Sequence, residues 1–263
     1  MRPLVAAALL CAATASVAVA DAGVEKHLRA SADGIAALLS YRQPDDMIRG
    51  ARLEITRHGS VRLSAPVAAL TDFSRPAGLV VRDLDADGEP EVVLGVYTGG
   101  AHCCTHSLTY RYEATRRRYA LTVHDWGNVG YRIVDLDRNG RPELRSADDR
   151  FAYAFTSFAA SVFPVQIWHF DQGRLVDVTR YFPAMVAADA RAAWRIYRSA
   201  GRAHQEVRGA LAAWLADEYR LGRAAEGWLR LEGLRREHEL GPGAGTYLRQ
   251  LRAFLRKLGY ASP

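Results

Sequence analysis

Two short acidic stretches hold the side chains best placed to do chemistry. In Asp83-Leu84-Asp85-Ala86-Asp87-Gly88-Glu89-Pro90-Glu91 and Asp135-Leu136-Asp137-Arg138-Asn139-Gly140-Arg141-Pro142-Glu143, oxygen-bearing side chains stand at relative positions 1, 3, 5 and 9, with glycine at position 6. The copies are identical at six of nine positions and lie 52 residues apart. A tight turn through the glycine gathers the oxygens around one point, where the carboxylates repel one another unless a hard cation sits between them. Calcium is the expected ion, with Asp83, Asp85, Asp87 and Glu91 as one ligand set and Asp135, Asp137, Asn139 and Glu143 as the other. Asn139 replaces a carboxylate, so the second loop is expected to bind less tightly. Neither copy is an EF-hand, because the twelfth position is Leu94 in one and Ser146 in the other, where a bidentate glutamate is required.

Cys103 and Cys104 are adjacent, flanked by His102 and His106. On a strand, His102, Cys104 and His106 share one face and Cys103 the other, which does not close a tetrahedral zinc site. A disulfide between the two demands a distorted ring, since neighbouring Cα atoms lie only about 3.8 Å apart. An oxidising destination still favours that bridge over two packed thiols. No nucleophile elbow, zinc-protease helix or phosphate loop is present, so no enzyme class is signalled. His124-Asp125 and Asp148-Asp149 could serve as acid–base groups, but turn and strand-end positions explain them as well.

The elements that must hold the loops are strands. Arg52 to Leu63 around His58-Gly59, Leu108 to Val123 around Ala114-Thr115, and Val165 to Val178 around Gln172-Gly173 each read as strand, turn, strand. Three units of about 55 residues emerge, with side chains alternating as in Leu108-Thr109-Tyr110-Arg111-Tyr112. Val24, Leu28, Ile35 and Leu39 fall near helical spacing and predict a helix ahead of the first hairpin. Beyond Pro183 the period turns helical. Val207, Leu211, Trp214 and Leu215 share one face, Tyr247, Leu251, Phe254, Leu255 and Leu258 another, and Gly241-Pro242-Gly243 breaks the run between them. The expected class is mainly β with a C-terminal α-helical region: a signal peptide over 1–20, a β-rich repeat domain over 21–182 and helices over 183–263.

The two acidic stretches resemble FG-GAP or VCBS-type repeats of integrin-like β-propellers, and Tyr97 to Cys104 resembles a segment of bacterial exported proteins of that kind. The resemblance covers residues 36 to 182 at most. It implies cation binding through the loop carboxylates in antiparallel blades. Closed propellers have about four to eight blades, so three units imply an incomplete propeller-like or sandwich-like stack, with the helical tail covering an edge.

Met1-Arg2-Pro3, the apolar run Leu4 to Ala13 and the small residues Ala18-Val19-Ala20 form an export signal, with the mature chain beginning near Asp21. The run falls short of the roughly 20 apolar residues that span a bilayer, and no later segment reaches that length. Bulky Leu10 before Cys11 argues against lipidation. The net charge of +6 lies wholly in the tail: from Pro183 onward there are 14 Lys+Arg against 8 Asp+Glu. Asp217-Glu218, Glu237 and Glu239 interleave with those arginines, which reads as a solvated helix face, with contact to an anionic surface as a lesser expectation and nucleic acid not expected. Two functions follow. The first is a periplasmic or extracellular, non-enzymatic, calcium-stabilised module recognising a protein or glycan, or acting in adhesion or scaffolding. The second is an envelope-polymer hydrolase with its site between β region and tail. Converging His and Asp residues favour the hydrolase; a shallow face of Trp126, Tyr131 and Trp168 favours recognition.

Overall fold

The computed structural model describes residues 24–44, 48–68, 70, 74–100, 103–202 and 206–261, without the side chains of Cys103 and Arg202. The expected export signal and His102 lie outside the described residues.

Three antiparallel sheets of four strands follow one another along the chain, each in sequential order. The first contains β1 (Glu25–Ala32), β2 (Ile35–Arg42), β3 (Arg49–Arg57) and β4 (Ser60–Pro66). The second contains β5 (Arg75–Arg82), β6 (Glu91–Gly100), β7 (Cys103–Glu113) and β8 (Arg118–Asp125). The third contains β9 (Arg132–Val134), β10 (Glu143–Ala147), β11 (Val165–Asp171) and β12 (Arg174–Asp177). The chain is thus mainly β, with four C-terminal helices, and its three sheets form no closed barrel. The hairpins read from the sequence are the second halves of the sheets, β3–β4, β7–β8 and β11–β12.

Among the described residues no helix precedes them. The segment containing Val24, Leu28, Ile35 and Leu39 folds as β1 and β2, paired from Glu25↔Arg42 to Ala32↔Ile35. Asp33-Gly34, with both residues at positive φ, is the hairpin turn that decides the matter. Ile35, Ala37 and Leu39 alternate onto one buried face, and the alanines between the larger residues weaken that period-two signal.

The sheets stack in layers. One core lies between the first and second sheets, including Leu39, Leu53, Ile55, Val92, Leu94 and Leu108. Another joins the second to the third, with Leu84, Val93, Trp126, Leu144 and Phe170. The second sheet is therefore covered on both faces, which explains the continuous apolar run at the start of β6.

Helices α1 (Pro183–Arg202), α2 (Arg208–Arg220), α3 (Ala224–Arg236) and α4 (Ala244–Lys257) follow. Proline suits a first helical position because its missing N–H has no partner there. Helix α2 is buried from Gly209 to Glu218 and forms the centre of the bundle. The bundle closes on the third sheet through a core of Val165, Ile167, Val178 and Val186. Polar ties reinforce it: Val165 N–H donates to Asp189 at 2.8 Å, Arg220 reaches Val165 O at 3.1 Å, and the Tyr260 hydroxyl donates to buried Asp148 at 2.9 Å. Among the described residues no helix is long and apolar enough to cross a membrane.

Candidate metal centre

Both acidic stretches connect the first two strands of a sheet, β5 to β6 and β9 to β10, whereas the first sheet makes the same connection with Asp33-Gly34 alone. The two loops share one hydrogen-bond plan. Position 1 accepts from the glycine N–H, Asp83 from Gly88 at 2.9 Å and Asp135 from Gly140 at 3.0 Å. Position 5 accepts from the residue two further on, Asp87 from Glu89 at 2.9 Å and Asn139 from Arg141 at 2.7 Å. Position 9 opens the next strand, fully buried, and accepts from the position 2 N–H: Glu91 from Leu84 at 2.9 Å, Glu143 from Leu136 at 2.8 Å. Ala86, Gly88, Arg138 and Gly140 all have positive φ, so the backbone path repeats as well. Leucine at position 2 anchors each loop from below, Leu84 between the second and third sheets and Leu136 between the third sheet and the helices.

These paths bring three of the four expected ligands together. Asp83, Asp85 and Glu91 each place an oxygen within 4.8 Å of the others, as do Asp135, Asp137 and Glu143. The fourth position has a partner beside each triad. Asp87 meets Arg111 at 2.6 Å, and the Asn139 amide donates to Asp137 at 2.9 Å.

The loops differ in what their buried oxygens find. Asp83 Oδ1, Asp85 Oδ1 and Glu91 Oε1 are buried without a hydrogen-bond partner. A buried unpaired carboxylate oxygen is costly, and one from each residue of the triad lies here. Burial accordingly pushes the Glu91 carboxyl up to about 8; the Leu84 N–H opposes the shift and Asp85, Asp87 and Asp83 add to it. A divalent cation reverses that balance, and an all-oxygen donor set of this kind suits a hard ion. In the second loop Glu143 Oε1 pairs with His169 Nε2 at 2.9 Å, and no oxygen of that triad is buried without a partner.

Reasoning on sequence missed the basic residue facing each glutamate. Arg111 follows Tyr110, the register partner of Val92, and so stands across from Glu91; it contacts Asp85 at 3.1 Å and Glu91 at 3.8 Å. His169 follows Trp168, the partner of Leu144, and holds the same place across from Glu143. The signal, a basic residue one strand downstream, has no fixed spacing and needs the register to be seen. Also missed was the joining role of the first loop. Arg57 of the first sheet forks onto Glu89 at 2.7 Å, and Gln172 N–H in the β11–β12 turn donates to Asp85 at 3.3 Å. One loop therefore touches all three sheets.

The aromatic residues form no shallow face. Trp126 is 3% exposed, stacks on Tyr131 at 4.9 Å between centroids, and meets Trp168 edge-on at 6.3 Å in the core between the second and third sheets. Beside them, His124, Asp125, Asp148 and Asp149 line a cleft of about 350 Å³. Burial lowers the His124 pKa; burial raises that of Asp149, against the Asn128 N–H and with help from Asp125 and Asp148. Asp148 is bound by Arg150 at 2.6 Å and by Tyr260, and holds the helices to the sheet. Cys104 is disulfide-bonded; the Cys103 side chain is outside the described residues, so the pairing of the two remains an expectation.

No family model and no solved structure matches the chain. It is similar to a probable thylakoid lumen protein of Synechocystis sp., 31% identical over 169 residues that cover 62% of this chain and 50% of that protein. It is also similar to an uncharacterized protein of Sinorhizobium fredii, 33% identical over 154 residues that cover 54% of this chain and 23% of that one. The matched region thus spans half the length of the first relative and under a quarter of the second.

Proposed function

We propose that this chain is an exported β-repeat module whose Asp83–Glu91 loop holds calcium as a structural clamp. The observation that carries the reading is the set of three buried oxygens on Asp83, Asp85 and Glu91 that accept no hydrogen bond, with Arg111 at 3.8 Å from that of Glu91 as the cation nearest to it. When bound, the ion supplies positive charge at the centre of that set; Gly88 N–H and Leu84 N–H hold two of the carboxylates toward it. Export is supported by the signal-like first 20 residues and by similarity to a protein named for the thylakoid lumen. The likeness of the two loops to FG-GAP or VCBS-type repeats fits the same role. Thermal melts in calcium and in chelator test the clamp. A ligand bound only by the folded state, at a hundredfold excess over Kd, stabilises by about 2.7 kcal/mol, so the calcium melt should be higher; coincident melts sink the clamp.

A second reading, hydrolysis of an envelope polymer, draws on the cleft of His124, Asp125 and Asp149. There Asp149, whose pKa burial raises, would act as general acid. Turnover of purified cell-wall glycan that disappears in Asp149→Asn, with the melt unchanged, supports it. Absence of turnover by the wild type on such polymers removes it.

A further inference from the structure

Arg111 enters the first loop more deeply than a surface ion pair would. Its Nε lies 3.1 Å from Asp85 Oδ2 and 3.8 Å from Glu91 Oε1, and its Nη2 lies 2.6 Å from Asp87 Oδ2. One guanidinium thus reaches three of the four expected ligands. Two of these carboxylates are almost wholly out of water, the Asp85 side chain at 3% exposure and that of Glu91 at 1%. Buried carboxylates need a positive charge close by. Among the described residues no other Lys or Arg pairs with this loop's four expected ligands, so Arg111 alone brings that charge. It leaves the set incomplete, since Asp83 Oδ1, Asp85 Oδ1 and Glu91 Oε1 still accept no hydrogen bond. The second loop has no such residue. There Glu143 meets His169, and Arg141 turns to the Phe170 carbonyl and Asp171.

We propose that Arg111 is a built-in counter-ion of the first loop, standing in for calcium in the metal-free protein and opposing the ion when it arrives, so that it sets how tightly the loop holds calcium. This role rests on the calcium reading of the loop and gives it to a residue that is not a ligand. In the metal-free state the guanidinium offsets the mutual repulsion of Asp85, Asp87 and Glu91. Calcium seeks the same carboxylates and meets a like charge a few ångströms away. A guanidinium does not give up its proton in proteins, so that opposition is permanent. The result is a loop that keeps its shape when calcium leaves and binds calcium more weakly than its carboxylates alone would.

The test is calorimetric titration of calcium into the metal-stripped full mature chain, with melts in chelator and in saturating calcium, on the wild type, Arg111→Met and Arg111→Lys. Methionine keeps an unbranched apolar stem and removes the charge; lysine keeps the charge. Arg111→Met should bind calcium about tenfold more tightly than the wild type, melt lower in chelator, and recover in saturating calcium, while Arg111→Lys stays near the wild type in all three. Both melts lowered alike with affinity unchanged, as for a residue needed only for packing, or affinity weakened in Arg111→Met, would overturn the proposal and leave the clamp standing. Calcium uptake by Arg111→Met but not by the wild type would support the counter-ion and sink the clamp; uptake by neither would sink both. Arg111→Gln serves as a second uncharged variant, and failure of both uncharged variants to fold even in calcium would also overturn the proposal.

Discussion

At the scale of residues, position 9 of the first loop is where folding and ion chemistry meet. Glu91 is fully buried at the start of β6, with one oxygen held by Leu84 N–H and the other accepting no hydrogen bond, 3.8 Å from Arg111. Glu91→Gln keeps the size and the acceptor for Leu84 but removes the charge an ion needs. The expected result is a variant whose melt in chelator is at or above that of the wild type and no longer responds to calcium. A variant that still gains from calcium would place the ion elsewhere. Asp217 makes a different prediction. It is fully buried against Asp189, and neither of its oxygens meets a donor, so the pair is accommodated by a proton kept on Asp217, whose pKa burial pushes up to about 9. In the unfolded chain that carboxyl ionises near its ordinary value of 3.8. Between those values the unfolded state has given up a proton that the folded state retains, so this group lowers stability as pH rises through the window and adds no further slope above it. Denaturant unfolding from pH 4 to 9 should show a shallower decline in Asp217→Asn than in the wild type; parallel profiles would contradict it.

At the scale of elements, what could be read in the sequence depended on whether the deciding contact was local. The turns at His58-Gly59, Ala114-Thr115 and Gln172-Gly173 lie within the hairpins they define, and Gly241-Pro242-Gly243 ends one helix region and starts another; these were legible. The β1–β2 hairpin was not, because Leu28 and Leu39 are cross-strand partners whose spacing imitates a helix. Arg111 and His169 were invisible as partners of the loop glutamates for the same reason, since only strand register brings them across. Whether Trp126 and Trp168 formed a surface face could not be read from sequence, because it is the stacking of two sheets that buries Trp126 and half-buries Trp168. Close packing between elements is equally unreadable in sequence, and Gly209 shows its size. A Cβ at Gly209 would lie 2.5 Å from Thr156 Cγ2 and 3.0 Å from the Ala160 carbonyl. Alanine improves helix propensity by about 1 kcal/mol, but overpacking of this kind costs about 1–3 kcal/mol. The overlap involves backbone, so the cost should win: Gly209→Ala is expected to lower stability in denaturant, and a rise would show that the 156–160 segment yields freely.

At the scale of the whole molecule, three sheets with no closed barrel need joints to keep them in register. Apolar layers provide most of that cohesion, and the first acidic loop adds a polar joint reaching Arg57, Arg111 and the β11–β12 turn at Gln172. The second loop lies nearer the helices and pairs its glutamate with His169. Two loops alike in sequence therefore have unequal settings, and the proposed clamp is the first. The most direct measurement is a calcium titration of metal-stripped protein with stoichiometry read at saturation, on the wild type, Asp85→Ala and Asp137→Ala. The tighter site should vanish in Asp85→Ala and survive in Asp137→Ala. A wild type that takes up no calcium, or a tighter site that survives Asp85→Ala, would contradict the central claim.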